Sequence, residues 1–107
     1  MYNAQYFIDM LSDIPDNKWC TKKYVKNEGT DAQQCCFYGH LGVRSGSRMN
    51  ETKRLEDLLS MLKIYRDNVG FVRSLSSIND GESMTYNQKT PKERMIAFFT
   101  DMKAAGL

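Results

Sequence analysis

The stretch Gln33 to Val43, which reads QQCCFYGHLGV, concentrates the side chains of this chain that are best suited to chemistry. Cys35 or Cys36, placed near a helix N-terminus, would feel the positive end of the helix dipole, which favours a thiolate. His40 follows four or five residues later, and an i, i+4 pair on one helix can touch. Asn79 or Asp80 can orient an imidazole, which completes a Cys-His-Asn/Asp constellation with Cys36 as nucleophile and His40 as base. The plainer reading of the same residues is architecture. Nucleophile and base in cysteine hydrolases normally come from different elements, and a small buried cysteine packs as a hydrophobe.

Cys20, Cys35, Cys36 and His40 also supply four sulfur and nitrogen ligands, the number that tetrahedral zinc takes. Their spacing does not suit it, because adjacent residues on a helix point about 100° apart. No metal or cofactor is expected. The segment Arg44, Ser45, Gly46, Ser47 and Arg48 has the composition of a small anion or nucleotide cradle, with backbone N–H groups, two hydroxyls and two guanidinium groups. It lacks the phosphate-loop pattern, and a solvated connector explains it as well. The set Tyr2, Tyr6, Trp19, Tyr24, Tyr38, Tyr65 and Tyr86 is large for so short a chain and suits either a core or an interface.

These residues need elements to position them. Asn3 caps a helix over 4–13 whose stripe is Tyr6, Phe7, Met10 and Leu11. Pro15 stops it, and an aromatic and β-branched run over 19–26 reads as a short strand. A short helix is expected over 33–41, where Gly39 requires a reason such as close packing and Gly42 supplies a stop. Asn50 can cap a helix over 50–66, with Leu55, Leu58, Leu59, Leu62 and Tyr65 on one face. Residues 72–78 read as extended, and Asn79-Asp80-Gly81 as a sharp turn. Thr90, Pro91 and Glu93 form a complete start signal for a last helix over 91–103. The fold class is α+β and helix-dominated: about four helices with a few short strands.

At 107 residues the chain makes one domain, able to bury about two-thirds of its unfolded surface without disulfide or metal support. Aromatic residues at 11% and a mean hydropathy of −0.57 describe a folded chain rather than a disordered one. No apolar run reaches the length of a membrane span. Fifteen basic and 13 acidic residues leave a net charge of +2, and the pI near 8.4 is too low to mark a nucleic-acid protein. Lys18, Lys22, Lys23 and Lys26 nevertheless cluster. Three cysteines without a leader segment fit a reducing cytoplasm better than a disulfide framework.

Four stretches together resemble a group of small bacterial and phage proteins that carry a domain of unknown function. They are Lys18-Trp19-Cys20-Thr21, Cys35-Cys36-Phe37-Tyr38-Gly39-His40-Leu41-Gly42, Ile78-Asn79-Asp80-Gly81 and Thr90-Pro91-Lys92-Glu93-Arg94. The family has no established activity to transfer. The resemblance implies that Cys36, Gly39, Asn79 and Asp80 are the shared features and that His40 is not a shared base. Those shared features suit a site and equally a structural joint, in which Asn79 or Asp80 would bond orphan N–H groups at the start of the Cys36 helix.

The function expected from the sequence is a small non-enzymatic accessory module, cytoplasmic in a bacterium or a phage-infected host, that binds another protein. Anti-defence proteins are one setting for such modules. A Cys36-dependent hydrolase or transferase and an anion binder using residues 44–48 are the alternatives. No membrane partner is expected, nucleic acid is disfavoured, and self-association stays open.

Overall fold

The computed structural model describes residues 2–43, 52–70 and 74–107. The Arg44 to Arg48 cradle and Asn50 lie outside the described residues.

Helix α1, Ala4–Ser12, begins where the sequence places it. The Asn3 side-chain oxygen accepts the Tyr6 N–H at 2.9 Å, and Ala4, Phe7 and Leu11 are buried. Helix α5, Pro91–Ala104, has Pro91 in its first turn and the Thr90 hydroxyl accepting the Glu93 N–H at 3.2 Å. Its apolar face buries Met95, Phe98, Phe99 and Met102. The two helices pack antiparallel: the Ala4 N–H donates to the Leu107 carbonyl, and Lys92 at the other end reaches the Ser12 carbonyl. Phe7 stacks on Phe99 with ring centroids 5.0 Å apart, at the centre of the core.

Helix α3, Lys53–Val69, starts and ends about three residues later than the periodicity suggests, because Thr52 caps it by accepting the Leu55 N–H. Leu55, Leu58, Met61, Leu62 and Tyr65 are buried along it, and Tyr65 meets Phe98 edge-on. Asp57 is also buried, in an ion pair with Lys53 at 2.9 Å while it accepts the Tyr2 N–H at 2.9 Å.

Three expected elements are smaller or different. The strand over 19–26 is reduced to β1, Val25–Lys26, because Lys22 takes a left-handed backbone (φ 66°) that breaks the extended run. The helix over 33–41 is divided. Gln34–Cys35 forms β2, antiparallel to β1, and only Phe37–His40 is helical, as α2. The region read as extended before Asn79 is instead α4, Leu75–Asn79, started by the Ser74 hydroxyl accepting the Ser77 N–H. Leu75 and Ile78 are buried at helical spacing, where an alternating strand would have exposed one of every two neighbours. The fold is thus helix-dominated α+β, with five helices and one two-stranded sheet among the described residues. None of these helices is long and apolar enough to cross a membrane.

Candidate functional site

The residues from Cys20 to Tyr24, the start of α2 and the end of α4 meet at one joint, and Asn79 is its centre. Asn79 is 1% exposed. Its side-chain oxygen accepts the Phe37 N–H at 3.0 Å, one of the donors that a helix start leaves without an intrahelical partner. Its Nδ2 donates to the Cys20 carbonyl and to Asp80 Oδ1, both at 3.0 Å. Asp80 Oδ1 in turn accepts the Lys22 N–H at 2.9 Å and so holds Lys22 in its left-handed conformation. The Cys36 N–H donates to the Tyr24 carbonyl, and the Cys20 N–H to the Cys35 carbonyl. Gly39 is required here by contact, since a Cβ at that position would lie 1.9 Å from the Tyr24 oxygen.

Arg94 completes the joint from α5. Its guanidinium is buried and donates to the carbonyls of Ile78 (3.0 Å), Asn79 (2.7 Å) and Gln88 (2.8 Å). Burial lowers its pKa while nearby Asp80 and Glu93 raise it in partial compensation. A cation at the C-terminal carbonyls of α4 fits the negative end of that helix.

A cleft of about 690 Å³ opens over this joint. Tyr24, Val25, Cys36 and Tyr38 line it, Lys22 and Lys23 stand at its edge, and Asn79 and Asp80 contribute to its floor. Its size falls within the range of about 300–1,000 Å³ typical of small-ligand sites. Tyr38 is half-buried, and desolvation pushes its phenol up to about 12 although the Arg66 guanidinium pulls the other way. Tyr24 is 39% exposed.

The proposed catalytic residues are distributed differently. Cys36, Asn79 and Asp80 share the cleft, whereas His40 lines a separate cleft of about 360 Å³ with Cys35, Lys18 and Asp13. The His40 ring lies against Trp19, with centroids 4.6 Å apart. Cys36 is the N-cap of α2 and is 8% exposed. Burial raises its thiol pKa, and the N–H groups of Gly39 and Tyr38, which favour the thiolate, do not offset it. Cys20 is raised as well, by burial and then by the neighbouring Cys36 and Cys35. All three cysteines are free thiols. Among the described residues no three His, Cys, Asp or Glu side chains are placed to share a metal ion.

The sequence reading did not single out Tyr24, Tyr38, Lys22 and Lys23 as one surface or Arg94 as a clamp. The contiguous Lys22-Lys23-Tyr24 run was the available signal for the first. Arg94 carried none, since its burial depends on α4 ending beside α5.

Comparison with known proteins places the chain beside none of them: no family model, no curated protein and no solved structure matches it.

Proposed function

We propose that the protein is a non-enzymatic binding module that acts by contact with another protein, and that the cleft bordered by Tyr24 and Tyr38 is the contact site. The carrying observation is how Asn79 and Asp80 are used. Their polar atoms bond the backbone of Phe37, Cys20 and Lys22, so they build the cleft rather than present a reactive group to it. The left-handed Lys22 supports the reading, because strained non-glycine backbone persists where surrounding structure holds it and clusters at binding and active sites. Helix α3 offers a poorer surface. Its exposed Leu59, Ile64 and Val69 are five residues apart, so successive members point about 140° from one another and make no stripe.

A module of this kind fits the small accessory proteins that bacteria and phages encode, including anti-defence proteins, and three free thiols fit work in a reducing cytoplasm. A cysteine-dependent hydrolase or transferase has one observation in its favour, that Cys36 lines the cleft. The elevated thiol pKa and the placement of His40 in the other cleft weigh against it.

The test is photocrosslinking in cells from position 24, with position 64 on α3 as the reference. The expected result is a protein captured from position 24 and not from 64, which then binds the purified module and binds Tyr38→Ala at least tenfold more weakly. Equal capture from both positions, or capture from neither, overturns the proposal.

A further inference from the structure

The ladder of the small sheet defines what kind of chain can enter the cleft. Val25 pairs with Cys35, and the next pair outward is closed by the Cys36 N–H on the Tyr24 carbonyl at 3.2 Å. Hydrogen-bonded and non-hydrogen-bonded pairs alternate in an antiparallel ladder. Val25 and Cys35 are therefore a non-hydrogen-bonded pair whose N–H and C=O groups point away from each other. On the Cys35 side those groups are used: its carbonyl accepts the Cys20 N–H at 3.0 Å, and Trp19 forms a parallel bridge to it. On the Val25 side the outward N–H and C=O have no partner among the described residues, and Val25 lines the cleft.

Charge selects among the chains able to pair with that edge. Lys22 and Lys23 stand at the mouth, Lys26 is on β1 itself, and Arg66 lies near Tyr38. Two acids line the cleft, Glu28 and Asp80, and Asp80 is engaged by the Lys22 N–H and by Asn79. A second copy of this chain would bring a second cluster of Lys22, Lys23 and Lys26 to the same edge, and lysines on an edge strand are a device that sheet proteins use to prevent such pairing. RNA would meet the cations, but it does not offer the alternating donor and acceptor that an open strand edge matches.

We infer that the cleft takes an extended acidic peptide segment, which adds to the open edge of β1 at Val25, sets an apolar or aromatic side chain against Tyr24 and Tyr38, and places its carboxylates by Lys22 and Lys23. The inference rests on the binding reading above and names the occupant of the same site. Recognition would follow the strand-addition mode, with main-chain hydrogen bonds for affinity and the aromatic walls for selectivity.

The test uses the full chain, labelled with nitrogen-15, and a short peptide with a central Phe flanked by Glu and Asp. A counterpart carries Lys and Arg flanks, and a third is the acidic peptide N-methylated at its central residues. The acidic peptide should shift the amides of Tyr24, Val25 and Tyr38. N-methylation should weaken binding about fivefold to tenfold, the worth of one net hydrogen bond or slightly more. Lys22→Glu with Lys23→Glu should weaken it at least tenfold and strengthen binding of the basic peptide. Val25→Pro removes the outward N–H without breaking a ladder bond and should weaken binding as N-methylation does; the methylated peptide gives the same information should that variant not fold. If the basic peptide binds at these amides and the acidic one does not, the acidic occupant is wrong while contact through the cleft stands. Equal binding of methylated and unmethylated peptide overturns strand addition. A uridine oligonucleotide that shifts the same amides when the acidic peptide does not overturns the inference in favour of nucleic acid. If no peptide shifts any cleft amide the inference falls, and photocrosslinking from position 24 then decides the wider reading independently.

Discussion

The carbonyl oxygen of Tyr24 occupies the space a side chain at position 39 would need, 1.9 Å from where the Cβ of any residue replacing Gly39 would lie. The obstacle is backbone, and that carbonyl is also held by the Cys36 N–H, so it cannot rotate away cheaply. Gly39→Ala should destabilise the protein by about 3 kcal/mol or more, at or above the usual cost of overpacking. Gly42→Ala meets no atom within 4 Å and carries only the strain of φ 90°. Its cost should be nearer 1–2 kcal/mol. Urea unfolding of the two variants side by side checks the ordering, and equal losses would show that α2 does not depend on this contact.

Asn79 is matched to its partners by chemistry as well as by shape. Phe37 offers a donor, whereas the Cys20 carbonyl and Asp80 Oδ1 both require one. Asn79→Asp keeps the acceptor but sets a carboxylate against two oxygens in a buried place. A loss of about 3 kcal/mol at neutral pH is expected, from the unsatisfied groups and the unpaired charge. Because folding would raise the pKa of the new carboxyl, the variant should recover stability as pH falls from neutral toward the ordinary carboxylate range, with recovery complete below it. Thermal unfolding of wild type and variant at pH 7 and pH 4 reads this, and a gap that does not narrow at pH 4 contradicts it.

Arg94 is buried on three carbonyls in different directions. A lysine ammonium cannot reproduce that fork, so Arg94→Lys should cost about 2–3 kcal/mol although it keeps the charge. Hydrogen exchange should speed up first in α4 and around Gln88 rather than along α1. Uniform acceleration throughout the chain would mean that the residue does not act as a local clamp.

The sequence signals that proved reliable were those whose cause is local. Thr90, Pro91 and Glu93 start α5, and Asn3 starts α1, because a cap needs only its own first turn. Of the two readings open for Asn79 and Asp80, site or joint, the bond from the Phe37 N–H to Asn79 is of the kind the joint reading describes. Other features depend on distant partners and left no local trace. Cys35 belongs to a strand because Val25 and Trp19 lie on either side of it, and the QQCCFYGH run by itself reads as helix. Leu75 to Ile78 is ambiguous over so few residues until the Ser74 cap is recognised. The separation of Cys36 from His40 into two clefts arises because α2 begins only after Cys36, a boundary set by that same sheet.

Cys36 lines the cleft but sits in surroundings that favour the thiol. Alkylation by iodoacetamide at pH 7.5 should therefore be at least tenfold slower for native Cys36 than for the same residue in the unfolded chain, since reactivity follows the thiolate fraction and access. Its rate should keep rising as pH passes 9. Mass spectrometry of timed digests measures each cysteine separately. Fast labelling of native Cys36 alone near neutral pH would revive the nucleophile.

Stability should be limited by different residues at the two ends of the pH scale. Asp57 is held below its ordinary pKa, first by Lys53 and then by the Tyr2 N–H. A depressed carboxyl contributes stability that is complete above its unfolded value and is lost as pH falls through the folded one. The acid limb should accordingly begin below about pH 4, near the ordinary aspartate value. Asp57→Asn should flatten it while lowering stability at neutral pH, where the ion pair is lost. At the other end, burial raises Cys20, Cys36, Tyr38 and Tyr86, with Asp101 adding to the last by accepting the Tyr86 hydroxyl at 2.7 Å. A raised thiol or phenol contributes stability that is complete below its unfolded value and is lost as pH climbs toward the folded one. The fall should start near pH 9, where unfolded cysteine ionises, and steepen between 10 and about 12, the interval over which Tyr38 would ionise in the unfolded chain but not in the folded one. Tyr38→Phe should remove part of that alkaline slope and leave the acid limb unchanged. Urea midpoints taken at intervals from pH 3 to pH 11 provide the curve, and an alkaline limb identical in Tyr38→Phe and wild type would show that the phenol is freely solvated.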